Sequence, residues 1–368
     1  MNAMMRRALI GTAVVSMALS MAACGKAGGS SSSSSSASSP DSGTIGLLLP
    51  ENSSSVRYES FDKPLIEAKV KALCPNCTVK YNNANGDAAT QKQQFDTMVA
   101  QGVKVIMLDA VNANGTASWI TDAAKKGVKV VAYDRLAAGP VAGYVSFDNE
   151  KVGELQGQAL IDALNANGGN AKNDDIVMIN GDDNDPNAGQ FKAGAHKVLD
   201  TGVKKIVYEQ SGQWQPTVAS QKIGAAITAL GKNGFQGVYS ANDGMAAAII
   251  TALKAAGINV PVGGQDAAPD AIQRILSGDQ AYTIYKAYKP EAEGAATIAV
   301  DLLHGLDVTG TATSVTNDGG TNVPSLLLTP VVVTKANVKD TVIADGMYKV
   351  SDICTAQYAD ACKAAGLE

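Results

Sequence analysis

Gln101-Gly102-Val103-Lys104-Val105-Ile106-Met107-Leu108-Asp109 is the stretch that decides the fold. The run from Val103 to Leu108 is too short for a helix and does not alternate polar with apolar residues. Such a run reads as a strand buried on both faces of a parallel sheet. Gly102 opens it, at the place where a preceding helix ends in left-handed backbone that glycine adopts without strain. The helix before it is predicted over Ala89–Gln101, and the unit repeats at once. Thr116–Lys126 predicts a helix, Gly127 the turn and Lys129–Tyr133 the next strand. Helix, glycine and buried strand in succession are the rhythm of a doubly wound α/β chain.

Outward from this unit, Thr44–Leu49, Thr78–Asn82 and Gly143–Phe147 also read as strands, and Phe61–Leu73 as a helix. The rhythm restarts after Phe147. Strands are predicted over Asp175–Asn180, Val203–Glu209, Gly237–Ser240, Pro261–Gly263 and Ala281–Tyr285. Helices are predicted over Glu150–Asn165, Asn187–Thr201, Pro216–Asn233, Gly244–Gly257 and Pro269–Gly278. No long linker separates the two series. Two parallel-sheet lobes joined by short crossovers leave a cleft between facing strand carboxyl ends, where such sheets bind ligands.

The first forty residues belong to a different class. Arg6 and Arg7 precede an uncharged apolar run, Ala8–Ala23, which ends at Cys24. That order is an export signal, too short for a membrane span. Met21-Ala22-Ala23-Cys24 resembles the lipobox of bacterial lipoproteins, which implies cleavage after residue 23 and a lipid on Cys24. Residues 24–42 are nearly all Gly, Ser and Ala, a flexible leash that cannot bury apolar surface. The expected location is therefore the outer face of the cytoplasmic membrane, held by lipid alone.

A net charge of −5 argues against nucleic acid, whose phosphates demand clustered Lys and Arg. Only His196 and His304 are present, and neither lies near a Cys or an acidic pair at ligand spacing along the chain. No metal and no cofactor is expected. Cys74, Cys77, Cys354 and Cys362 suit an oxidising compartment. Two local disulfides would satisfy all four, although three connectivities are open. Asp182-Asp183-Asn184-Asp185 lacks the Gly and distal Glu of a calcium loop, so it reads as a solvated turn.

Polar residues gather just after the predicted strands: Asp134-Arg135, Asn242-Asp243, Gln265-Asp266 and Lys286, with Arg57-Tyr58, Asn187 and Trp214 in neighbouring loops. Singly, an Asp or Asn there is often a helix cap. Their recurrence at one end of the strands favours a site. Asp, Asn and Arg fork hydrogen bonds to vicinal hydroxyls, and Tyr58 and Trp214 offer flat apolar faces, which together suit a pyranose. A glycosidase pair among Asp134, Asp243 and Asp266 is the rival reading. The accompanying Arg and Lys would keep those groups ionised, which suits binding better than proton transfer.

Ala132-Tyr133-Asp134-Arg135 and the run Ser146-Phe147-Asp148-Asn149-Glu150-Lys151-Val152-Gly153-Glu154-Leu155-Gln156 resemble bacterial D-xylose-binding proteins of ABC transporters, of the type I periplasmic-binding-protein family. Ala241-Asn242-Asp243, Gly264-Gln265-Asp266-Ala267, Thr283-Ile284-Tyr285-Lys286, the segment Val323–Pro330 and the segment Val338–Gly346 match as well. The resemblance spans residues 44–352. It implies two lobes, 43–147 plus 287–329 and 148–286 plus 330–353, with 354–368 as a tail. Three hinge crossings would lie near Ser146–Asn149, Ile284–Tyr288 and Leu328–Val332.

By the same resemblance, Arg57, Asp134, Arg135, Asn242, Asp266 and Lys286 hydrogen-bond a sugar, Trp214 stacks on it, and Tyr58 stands where the family has Trp. Asn187 follows Pro186 where the family has an Asn-Asn pair, and residues 50–56 differ from the family and run one residue longer. The implied function is capture of a monosaccharide, D-xylose first, by a monomer that closes over it and hands it to an ABC permease. It implies no enzyme. Glucose, arabinose or ribose are alternative ligands, and a chemoreceptor or sensor kinase an alternative partner.

Overall fold

The structure, a computed structural model, describes residues 42–52, 55–318 and 320–367. The signal, the lipobox and Cys24 lie outside the described residues. The chain runs β1 (Ser42–Leu49), α1 (Lys63–Leu73), β2 (Asn76–Asn83), α2 (Ala88–Ala100), β3 (Val105–Leu108), α3 (Ala117–Lys125), β4 (Lys129–Tyr133) and β5 (Gly143–Phe147). It continues with α4 (Asn149–Asn165), β6 (Asp175–Asn180), α5 (Pro186–Gly202), β7 (Lys205–Ser211), α6 (Pro216–Leu230), β8 (Gly237–Ser240), α7 (Asp243–Ala255), α8 (Pro269–Ser277) and β9 (Thr283–Tyr285). Last come α9 (Tyr288–Leu303), β10 (Ser314–Asp318), β11 (Thr321–Leu328), β12 (Val331–Val333), α10 (Val350–Ile353) and α11 (Ala359–Ala364).

Seven strands form one sheet in the order β10-β11-β5-β4-β3-β1-β2, parallel except for β10. A second, parallel sheet has the order β7-β6-β8, extended by a bridge from Val238 to Val262. Both faces of the first sheet are covered. Ile45, Leu47, Met107 and Val131 pack on α1 and α9, while Leu48, Ile106, Leu108 and Val130 pack on α2 and α3. This two-sided burial is what the unbroken apolar runs demand. Gly102 and Gly127 hold φ of 80° and 75°, as their helix-ending role requires. The strand predicted over Val103–Leu108 starts two residues later, and Pro261–Gly263 supplies a single bridge rather than a strand.

β9 and β12 pair antiparallel in a small third sheet of their own, and the chain leaves the first sheet after β5 and after β11 and returns to α9 after β9. Asp148 N donates to Leu328 O at 3.0 Å, tying the exit after β5 to the exit after β11. The C-terminal segment is packed: Ile353, Cys362 and Leu367 are buried with Ile272, Ile275 and Leu276 of α8. Cys354 and Cys362 Sγ lie 2.09 Å apart, and Cys74 and Cys77 Sγ 2.01 Å apart, both at bonding distance. No helix among the described residues is long and apolar enough to cross a membrane.

Candidate functional site

All nine residues named from the sequence as sugar ligands line one cavity: Arg57, Tyr58, Asp134, Arg135, Asn187, Trp214, Asn242, Asp266 and Lys286. Ser55, Asp185, Phe191 and Gln265 complete the wall. The cavity sits at the carboxyl ends of strands from both sheets. Asp134 follows β4, Asn242 follows β8, and Asp185 and Asn187 begin α5 just after β6.

The backbone there is unusual. Asp134, Trp214 and Asp266 have φ of 57°, 55° and 96°, a region that side-chain-bearing residues rarely occupy. Their surroundings hold them in it. Asp134 N donates to Val145 O, and its carbonyl accepts from Ser146 Oγ (2.7 Å), Tyr144 OH (3.2 Å) and Asn187 Nδ2 (3.1 Å). Asp266 N donates to Ile284 O, and its carbonyl accepts from Tyr288 OH at 2.6 Å.

Arg57 is the electrostatic centre. Its Nε donates to Asp62 (2.8 Å), one terminal nitrogen to Asp134 (2.5 Å) and the other to Glu291 (2.7 Å). Burial alone would raise the Asp134 carboxyl, but Arg57, Lys286 and Arg135 reverse this and hold it down at about 2. Asp134 is therefore a fixed hydrogen-bond acceptor. Lys286 pairs with Asp266 at 3.2 Å. Trp214 Nε1 donates to Asp185 at 3.1 Å, and its ring meets Phe191 edge-on at 6.4 Å.

Cap and site are one role here. Asp185 caps α5 through Asn187 N and Asn242 caps α7 through Met245 N, and both also line the cavity. Two wall acceptors, Asn187 Oδ1 and Gln265 Oε1, are buried with no hydrogen-bond donor from the protein. Buried acceptors are rarely left in that state, so they suit a ligand that carries O–H donors.

Three readings of the sequence change. Asp185 is not part of a solvated turn. It is 4 % exposed and ion-paired to Arg135, because capping α5 turns it inward. Asp243 does not reach the cavity. It is buried behind it, accepting from Ala268 N, Gln280 Nε2 and Thr283 Oγ1, and so supports the loop carrying Asp266. His304 is remote from any Cys along the chain, yet α9 brings its ring within 4.8 Å of the Cys74 and Cys77 sulfurs. Those sulfurs are at bonding distance from each other, so they offer no thiolate to a metal.

The family described as "Periplasmic binding protein domain" matches residues 45–307. The chain is 37% identical to the D-xylose-binding periplasmic protein of Escherichia coli over 79% of its own length and 87% of that protein's. It is 36% identical to the protein of the same name from Haemophilus influenzae, over 84% and 91%.

The chain belongs to the periplasmic binding protein family.

A solved member, the carbohydrate transporter solute binding protein from Chloroflexus aurantiacus in complex with D-glucose, superposes with a TM-score of 0.76 at 26% identity. That match covers 84% of this chain and 98% of the other. The two parallel-strand sheets, the small β9–β12 sheet and the cavity at the strand carboxyl ends are thus the type I periplasmic-binding-protein fold. Its polar wall, here Asp134, Asn187, Asn242, Asp266 and Lys286, stands in the crevice at the strand carboxyl ends, where α/β sheets take their ligands.

Proposed function

We propose that this periplasmic binding protein is the sugar receptor of an ABC transporter, that D-xylose is its ligand, and that it is exported and lipid-anchored through Cys24. The observation that carries the reading is the cavity wall: ionised Asp134, the donors Arg57, Arg135 and Lys286, and the donor-less acceptors Asn187 Oδ1 and Gln265 Oε1. A sugar's hydroxyls both donate and accept, and its C–H faces match Tyr58 and Trp214. The lobes, 43–147 plus 287–329 and 148–286 plus 330–353, close about the three crossings and remove the ring from water. A wrong epimer then leaves a buried group unpaired, at about 1–3 kcal/mol each. The closed form docks on the permease. No step in this cycle makes or breaks a covalent bond, so the protein is not an enzyme.

D-xylose is favoured by the two relatives above 35% identity that bear its name. Glucose is the second ligand, favoured by the D-glucose complex of the Chloroflexus protein. Trp214 supplies the test. Sugar added to the protein should change tryptophan emission in a saturable way, and Asp134→Asn should abolish the change. Flat emission with every pentose and hexose tried, together with no heat of binding, would overturn the proposal.

A further inference from the structure

We propose that Arg135 is the latch of cleft closure, exchanging Asp109 for Asp185 as the two sheets approach. The proposal rests on the binding-cleft reading above and adds to it the means by which closure is held. Arg135 Nε lies 3.4 Å from Asp109 Oδ1 and 3.0 Å from Asp185 Oδ2, and it donates a hydrogen bond to neither. It is caught between two carboxylates. Asp109 follows β3, in the same sheet as β4, the strand that leads to Arg135, whereas Asp185 follows β6 in the other sheet. Only the second contact breaks when the sheets part.

The two acids differ in what else they hold. Asp185 Oδ1 caps α5 and its Oδ2 receives the indole N–H of Trp214, so Asp185 is satisfied in part without Arg135. Asp109 is fully buried, and neither of its carboxylate oxygens has a hydrogen-bond donor. A buried carboxylate in that state is costly, and Arg135 is the one cation within ion-pair distance of it among the described residues. Burial accordingly pushes the Asp109 carboxyl well up, against the pull of Arg135. The rest of the guanidinium is anchored on the first sheet's side, by Ala110 O at 3.0 Å and Tyr58 OH at 3.5 Å. The Nε edge therefore has a fixed pivot and a choice of two acids. In the open form it serves Asp109, and in the closed form Asp185 draws it away.

Exchange predicts opposite signs for two near-isosteric substitutions. Asp185→Asn removes the closed-state partner and should speed sugar release about tenfold. Asp109→Asn removes the open-state partner and should slow release, while making the sugar-free protein more compact by small-angle scattering. Substitutions that both speed release, or that leave release and compactness unchanged, would overturn the latch. Should Asp109→Asn fail to fold, Asp185→Asn alone decides, and an unchanged release rate sinks the idea. If the wild type binds no sugar, the functional reading fails, and scattering still judges the latch: Asp109→Asn more compact than Asp185→Asn supports it, and equal sizes contradict it.

Discussion

Three carboxylates, Asp62, Asp134 and Glu291, reach the single guanidinium of Arg57, and Lys286 is the next cation. One positive centre cannot keep all three ionised. Burial pushes Glu291 up, against the pull of Arg57, and the charges of Asp134 and Asp62 add to the rise. Asp62 is raised for the same first reason. Glu291 Oε1, with no hydrogen-bond partner, is the oxygen placed to carry the proton. An acid whose folded pKa is raised loses its proton first in the unfolded chain, so stability falls as pH rises from the ordinary carboxylate range through the folded value. Glu291→Gln has no such proton to lose. Its thermal midpoint, set against the wild type, should gain from about pH 5 and level off once pH passes the folded value of about 8, and parallel curves would refute the shared-proton account. On the ligand side, Trp214→Ala should weaken sugar affinity by about 1–3 kcal/mol through lost ring contact, read by calorimetry. Recurrence of polar groups after strands marked the end of the sheets where the cavity lies, but not which of them face it, since Asp243 follows β8 and is buried behind the wall. Asp185 was missed as a wall residue, although Pro186 directly after it marks it as the acid that caps α5.

At the scale of elements, α4 and α5 approach through glycine. A Cβ on Gly194 would lie 1.9 Å from Glu150 O, and one on Gly153 would lie 2.0 Å from Phe191 O. Gly194→Ala forces the helices apart, and a loss of about 2–3 kcal/mol in chemical unfolding is expected. A loss under a few tenths would show that the contact yields freely. The C-terminal cross-link acts on another element. Cys354→Ser with Cys362→Ser should free α11 from α8 and speed proteolysis of the C-terminal segment, while sugar affinity stays unchanged. Strands with unbroken apolar runs, such as β3 and β4, were readable. The β10–β11 hairpin was not, since Pro324 argues against a central strand. It is tolerated because the ladder to β5 begins only at Ser325. Asn317-Asp318-Gly319-Gly320 was the turn signal that would have revealed it.

For the whole molecule, the parallel-sheet architecture followed from repetition of one unit. What repetition does not convey is which side chains meet across the gap, as Arg135 meets Asp185 and Asn187 meets Asp134. Those contacts depend on how the two sheets face each other. Together they wall the cavity with polar groups from both sheets. The most direct test is isothermal titration of the purified protein with D-xylose, with D-glucose, L-arabinose and D-ribose in parallel. Saturable one-to-one binding of D-xylose, tighter than that of the other three, is the predicted result. Tighter binding of another sugar would contradict the D-xylose assignment, and no binding of any of the four would contradict the sugar-receptor account itself.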